Sequence, residues 1–149
     1  MVTKAIMDDF LAQETFAIVG VSRDPKKFGS IVYRDLKKKG FNVVAVNPKM
    51  DSIDGEPCYP DLKSLPNPVG GIVVIVPPDR TGMVVRDAKV AGITKVWMQK
   101  GAESKAAIQY CEENGMSVVH HHCIMMFTDP TGIHKFHRWL SGVFGKIPK

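Results

Sequence analysis

The sequence predicts an α/β protein: a doubly wound, mainly parallel sheet of about five to six strands with helices on both faces. Three observations predict it. Short runs rich in Val and Ile alternate with longer amphipathic stretches, the order in which strands and helices follow one another around a parallel sheet. The run at 72–76 is apolar at every position, which suits a central strand buried on both faces. Gly40 and Gly115 each stand just past an amphipathic stretch, where a helix ends most readily in the left-handed conformation.

In chain order, residues 3–12 read as a short leading helix and 16–21 as the first strand. The helix at 30–39 carries Ile31, Val32 and Leu36 on one side and Lys37, Lys38 and Lys39 in its last turn, where positive charge complements the helix dipole. Residues 42–46 form the second strand. The stretch 48–68 holds five prolines and reads as a long connection with one short strand near 57–59. Then follow the central strand at 72–76, a helix at 79–91, a strand at 95–99, a helix at 103–114 and a last strand at 117–120. A closing helix is expected at 132–143, with Phe136, Trp139, Leu140 and Val143 at helical spacing, a stripe that packs on the domain or docks a second subunit. Residues 1–149 are thus expected to be one domain with a helical extension at about 131–149, leaving a homo-oligomer or another protein partner open.

Composition narrows the classes. The 149 residues are 44% hydrophobic and 23% charged, with 13 Gly and 10 Pro, the profile of one globular domain. A chain this long buries about two thirds of the surface it exposes when unfolded, so it needs no disulfide or metal to stand. Cys58, Cys111 and Cys123 are odd in number and irregular in spacing, which fits free thiols in a reducing compartment and predicts a cytoplasmic protein. The longest apolar run, 69–78, falls short of the about 20 residues that span a bilayer, and Asp8 and Asp9 stand where a secretory leader would be apolar. No membrane association is expected. The net charge of +5 gathers early, with nine Lys/Arg against five Asp/Glu in residues 1–49. Aromatic residues are not interleaved with these bases and no RNP sequence is present, so a nucleic-acid partner is not expected.

In open α/β sheets ligands lie beyond the carboxyl ends of the strands. After the first strand comes Gly20-Val21-Ser22-Arg23-Asp24-Pro25-Lys26-Lys27-Phe28-Gly29, a loop bounded by glycines that leads into a helix N-terminus. Small residues there let a phosphate approach backbone N–H groups, and the helix dipole favours its charge. The loop is not a G-x-G-x-x-G fingerprint, since the glycine after Gly20 is nine residues on. At the end of the second strand, where an NAD domain carries an acid for the ribose 2′-OH, this chain has Asn47-Pro48-Lys49. A lysine attracts a phosphorylated ribose, so NADP and coenzyme A both qualify as ligands. The third strand end, Val76-Pro77-Pro78, is a rigid turn or an apolar ledge for a base. The fourth, Gln99-Lys100-Gly101, is polar and flexible.

Taken together, Gly20-Val21-Ser22-Arg23-Asp24-Pro25-x-Lys27-x-Gly29, Val46-Asn47-Pro48-Lys49, Cys58-Tyr59-Pro60-x-Leu62, Trp97-Met98-Gln99-x-Gly101 and Cys123-Ile124 resemble the small single-domain coenzyme A-binding proteins related to the N-terminal domain of the succinyl-CoA synthetase α subunit. The match spans roughly residues 5–125. The resemblance implies a Rossmann-like CoA-binding fold, with the first loop near the pyrophosphate, Asn47-Pro48-Lys49 near the adenosine and its phosphates, and Val76-Pro77 with Gln99 and Gly101 lining the crevice. It implies a cofactor, coenzyme A or an acyl-CoA, held by a non-catalytic or regulatory protein, because the synthetase's ligation depends on further domains.

Two features depart from that pattern. His120-His121-His122 stands before Cys123, where the family usually has one charged residue, and with His134 and His137 it invites a metal site. Alternation along a strand opposes this, because it sends His120 and His122 to one face and His121 and Cys123 to the other. No metal or catalytic set is therefore assigned, and the histidines read as polar crevice and surface groups. Cys123 would lie on the crevice side, where a CoA thiol could form a mixed disulfide, though a cysteine followed by Ile-Met-Met reads first as a small buried residue. The competing functions are an NADP-type oxidoreductase domain, for which neither a Tyr-x-x-x-Lys nor a second substrate domain is found, and a metal- or redox-responsive regulator built on His121, Cys123 and the C-terminal histidines His134 and His137.

Overall fold

The structure, a computed structural model, describes residues 2–128. Its elements run α1 (Lys4–Leu11), β1 (Thr15–Val19), α2 (Phe28–Lys38), β2 (Asn42–Val46), β3 (Ser52–Ile53), β4 (Glu56–Tyr59), a 3₁₀ turn (Leu62–Ser64), β5 (Gly71–Val74), α3 (Pro78–Val90), β6 (Lys95–Gln99), α4 (Lys105–Glu113), β7 (Ser117–His122) and a second 3₁₀ turn (Ile124–Met126). The strands form one sheet in the order β3-β4-β2-β1-β5-β6-β7. Every pairing is parallel except β3 with β4. The doubly wound architecture is as predicted, with seven strands because the proline-rich connection folds into a small β3–β4 hairpin rather than one strand. The turn of that hairpin is Asp54-Gly55, both at positive φ, a pair suited to a two-residue turn. The expected helical extension, with His134, His137 and the apolar stripe from Phe136, lies outside the described residues.

Alternation along the strands sorts the core into two layers. Phe16, Ile18, Val73, Trp97 and Val119 face α1, α2 and the Ile124 turn. Ala17, Val19, Ile72, Val74, Val96 and Val118 face α3 and α4. Trp97 is fully buried, and its indole N–H donates to the His122 carbonyl at 3.0 Å, so no buried donor is wasted. Phe10 of α1 stacks on Phe16 at 4.9 Å and meets the edge of Trp97 at 5.5 Å, which holds α1 on the sheet. Gly71 is required beneath it, since a Cβ there would press into the Phe10 ring.

The chain winds outward from β1 in both directions, through α2 to β2 and, after the hairpin, through β5 and α3 to β6. A crevice therefore opens where the carboxyl ends of β1 and β5 part. β5 leaves the ladder at Val74, before the end of its apolar run, because the segment turns into α3 with Pro78 at the first helical position. α2 begins at Phe28, so Gly29 sits inside its first turn and not in the loop. Among the described residues no helix is long and apolar enough to cross a membrane.

Truncating Phe10 removes a stacked and an edge contact from a sealed layer. Phe10→Ala is expected to cost about 3–5 kcal/mol in chemical denaturation; a loss below about 1 kcal/mol would show that α1 is not a keystone of that layer.

Candidate functional site

A cavity of about 1070 Å³ occupies the crevice. It lies at the upper end of the range for small-molecule sites. The ends of five strands, β1, β2, β4, β5 and β6, and two helices build it.

The first wall is the β1–α2 loop. Gly20 has φ +115, and a Cβ on it would overlap the Ile75 carbonyl; a Cβ on Gly29 would overlap the carbonyl of Gly20. Backbone thus touches backbone, and α2 starts directly over the end of β1. Lys27 is the N-cap of α2 but makes no side-chain capping bond. In the first turn the Ser30 N–H donates to the Lys27 carbonyl at 3.1 Å, which leaves those of Phe28 and Gly29 without an acceptor among the described residues, so the helix presents two donors and its positive end to the cavity. The loop is held by Ser30, whose hydroxyl donates to the Ser22 carbonyl while accepting from the Ser22 N–H.

The second wall is the end of β2, organised by Asn47. Its amide donates to the Val21 carbonyl at 2.6 Å, its side-chain oxygen accepts from the Lys49 N–H at 2.7 Å, and its own N–H donates to the Tyr59 carbonyl at 2.9 Å. One residue, through its side chain and its backbone N–H, therefore ties three strand ends together. Arg23 adds a second link, donating from Nη2 to the Lys49 carbonyl at 2.9 Å.

The third wall is Val76, Pro77 and one face of α3: Arg80, Met83, Val84 and Asp87. The fourth is Gln99, Lys100, Gly101 and Ala102. Gln99 is buried and structural, donating to the Cys123 sulfur at 3.1 Å and accepting from the Ile124 N–H at 2.6 Å. The Gly101 N–H is already committed to the Glu103 carboxylate at 2.6 Å, and buried Thr81 donates to the Ala102 carbonyl at 2.6 Å.

Of the residues singled out from the sequence, Gly20, Ser22, Lys27, Gly29, Asn47, Pro48, Lys49, Val76, Pro77, Gln99 and Gly101 line this cavity. Val21 and Arg23 do not. Val21 is 1% exposed and turns into the core layer beneath α2, because the chain must cross the sheet edge there. Arg23 acts on the Lys49 backbone instead. In the sequence Pro60 and Leu62 stand out only as part of the Cys58-Tyr59-Pro60-x-Leu62 motif and not as site residues, and the α3 face was missed. The spacing of Arg80, Met83, Val84 and Asp87, one helical stripe, was the signal for the latter.

The charge balance is lopsided: Lys27, Lys49, Arg80 and Lys100 face Asp61 and Asp87. Asp61 is engaged as the cap of the 3₁₀ turn, accepting from the Ser64 N–H at 2.9 Å and the Ser64 hydroxyl at 2.8 Å, and these bonds hold its carboxyl below the usual range.

The histidine segment breaks the expected alternation. β7 carries one extra residue between its pairings with Trp97 and Gln99, a bulge, and His121 lies at φ 64. The bulge brings the Nδ1 atoms of His120 and His121 to 2.7 Å, with His121 Nε2 3.4 Å from Glu103. Burial, and then the neighbouring His121, push the His120 imidazole below its ordinary value. Among the described residues no group of three His, Cys, Asp or Glu could hold a metal ion.

Comparison with known proteins follows the same geometry. The family model described as the CoA binding domain matches residues 14–129. The chain is 24% identical to the α subunit of an ADP-forming acetate–CoA ligase II of Pyrococcus furiosus, over 97% of this chain and 32% of that subunit. It therefore spans about a third of that relative, and only 19% of an ADP-forming acetate–CoA ligase I of Archaeoglobus fulgidus. Among solved structures, a conserved hypothetical protein of Pyrococcus furiosus is 41% identical with a TM-score of 0.73, over 76% of this chain and 97% of that one. A hypothetical protein of Pyrococcus horikoshii is 28% identical with a TM-score of 0.78, over 85% and 89%.

Two measurements check the geometry. Gly29→Ala forces backbone against backbone and is expected to cost about 1–3 kcal/mol, whereas Gly82→Ala, in an open part of α3, should gain up to about 1 kcal/mol; equal effects would contradict the close approach of α2. The unfolded chain protonates at position 120 before the folded one does. Stability should therefore be complete above pH 6.5 and fall as pH drops below it, and His120→Gln should flatten that slope in denaturation curves. An unchanged slope would show that His120 is not held neutral.

Proposed function

The chain belongs to the CoA binding domain family, and from that premise we propose that it binds coenzyme A or an acyl-CoA in the crevice, as a non-catalytic or regulatory protein. The observation that carries this is the coincidence of uncapped α2 amides with four cations around one cavity. A pyrophosphate takes the helix N-terminus and Lys27, where backbone N–H groups donate and the dipole adds to the lysine charge. The ribose 3′-phosphate takes Lys49. Asn47 and Arg23 fix the Lys49 backbone from both sides, so the lysine stem starts from a rigid point and loses less freedom on binding. The pantetheine arm runs past Val76 and Pro77 toward Gln99 and Gly101, which shape the far end without offering the Gly101 N–H.

The ligation named for the longer relatives belongs to chains about three and five times the length aligned here, so it is not carried over. We take residues 1–149 as one CoA-binding unit. An NADP-type oxidoreductase domain is the second reading, favoured by the same Lys49, which suits a 2′-phosphate as well as a 3′-phosphate.

Calorimetric titration with CoA, dephospho-CoA, NADP and NAD separates the readings. CoA is expected to bind, with dephospho-CoA about tenfold weaker. Lys49→Ala should weaken CoA by a similar factor and leave dephospho-CoA unchanged. Binding of NADP alone, or equal binding of CoA and dephospho-CoA, would overturn this assignment.

A further inference from the structure

One carboxylate in the cavity is unexplained. Asp61 serves as a cap, but Asp87 is exposed on the third turn of α3 and its side chain makes no hydrogen bond or ion pair with another described residue. A free carboxylate lowers affinity for a polyphosphate ligand, unless it lies away from the phosphates and meets a donor. Asp87 lies nine residues past Pro78, about 13 Å along α3 from the lip of the crevice, which is beyond the Debye length at physiological salt. Arg80 is two turns back, about 10 Å along the axis, too far to neutralise it.

The side chains around it define what could reach it. Met83 and Val84 on α3 and Pro60 and Leu62 after β4 form an apolar slot, and the Leu62–Ser64 turn packs against α3. A flat group with apolar faces and a donor on its edge fits such a slot. Strand order says which end of the ligand this is. β4 adjoins β2, which leads into Lys49, whereas β6, which leads through Gln99 into Gly101, lies on the other side of β1 and β5. The slot is therefore on the nucleoside side and not on the thiol side.

We infer that this slot holds the adenine ring and that Asp87 is its specificity-determining residue, its carboxylate accepting a hydrogen bond from the exocyclic amine. The inference rests on the CoA reading above. The amine is the donor that distinguishes adenine from an unsubstituted purine, and a charged acceptor that loses its donor makes the analogue bind more weakly.

The test uses adenosine 3′,5′-bisphosphate, the corresponding purine riboside bisphosphate that lacks only the amine, the guanosine bisphosphate, and CoA, titrated into the full chain. The unmodified protein should bind the adenosine compound about tenfold more tightly than the purine one. Asp87→Ala should bring the two to equal affinity while tightening the purine compound, because the acceptor that this compound leaves without a donor has gone. Asp87→Asn, which keeps an acceptor oxygen without charge, should retain part of the preference. Thermal unfolding of both variants should match the unmodified protein, since the side chain has no partner to lose. A preference unchanged in Asp87→Ala, or tighter binding of the guanosine compound, would overturn the role of Asp87 while CoA binding stands. Failure of the unmodified protein to bind CoA or any of the nucleotides would overturn the CoA reading, and this inference with it.

Discussion

The closeness of α2 to the end of β1 is the constraint on which the rest of the site depends. It is set by backbone: Gly29 rests on the Gly20 carbonyl, and Gly20 on that of Ile75. Any side chain at either glycine would lift the helix, moving its free N–H groups and Lys27 away from the crevice. The same contact explains why the loop between them can be long. Once its two ends are fixed, Ser22, Ser30 and Asp24 need only close a turn through local hydrogen bonds. This loop follows neither of the familiar glycine spacings of phosphate-binding turns, yet like them it leaves helix N–H groups facing a crevice.

Around that fixed point, the polar groups divide into those that shape the site and those that face a ligand. Asn47, Arg23, Gln99, Thr81 and Glu103 spend their hydrogen bonds on backbone, or on Cys123, and so make the strand ends rigid. Lys27, Lys49, Arg80, Lys100 and Asp87 are the side chains left to interact outward. Such a division is what a preorganised site requires, because ordering costs are met during folding and not during binding.

Much of this was legible beforehand, for identifiable reasons. The strands were visible because burial on both faces demands continuous Val and Ile, and the site because strand ends in a parallel sheet converge on one edge. Three things were hidden. Gly29 looked like a loop residue, since nothing in a sequence says that a glycine in a first helical turn is there for close packing. Val21 looked like a site residue because Gly20 and Ser22 line the crevice; only the path of the chain sends it inward. The histidines obeyed period two on paper, whereas a single inserted residue in β7 cancels that period and places His120 beside His121. A bulge leaves no compositional mark.

That inserted residue also affects how the molecule meets others of its kind. β7 is one margin of the sheet, and an uninterrupted parallel strand there would offer a row of unpaired donors and acceptors to any passing chain. The left-handed turn at His121 breaks the row and carries charge-capable rings outward. At the opposite margin β3 is two residues long, too short to template a further strand. Each margin of the described sheet thus carries a feature, a bulge at one and a two-residue strand at the other, that works against edge-to-edge pairing.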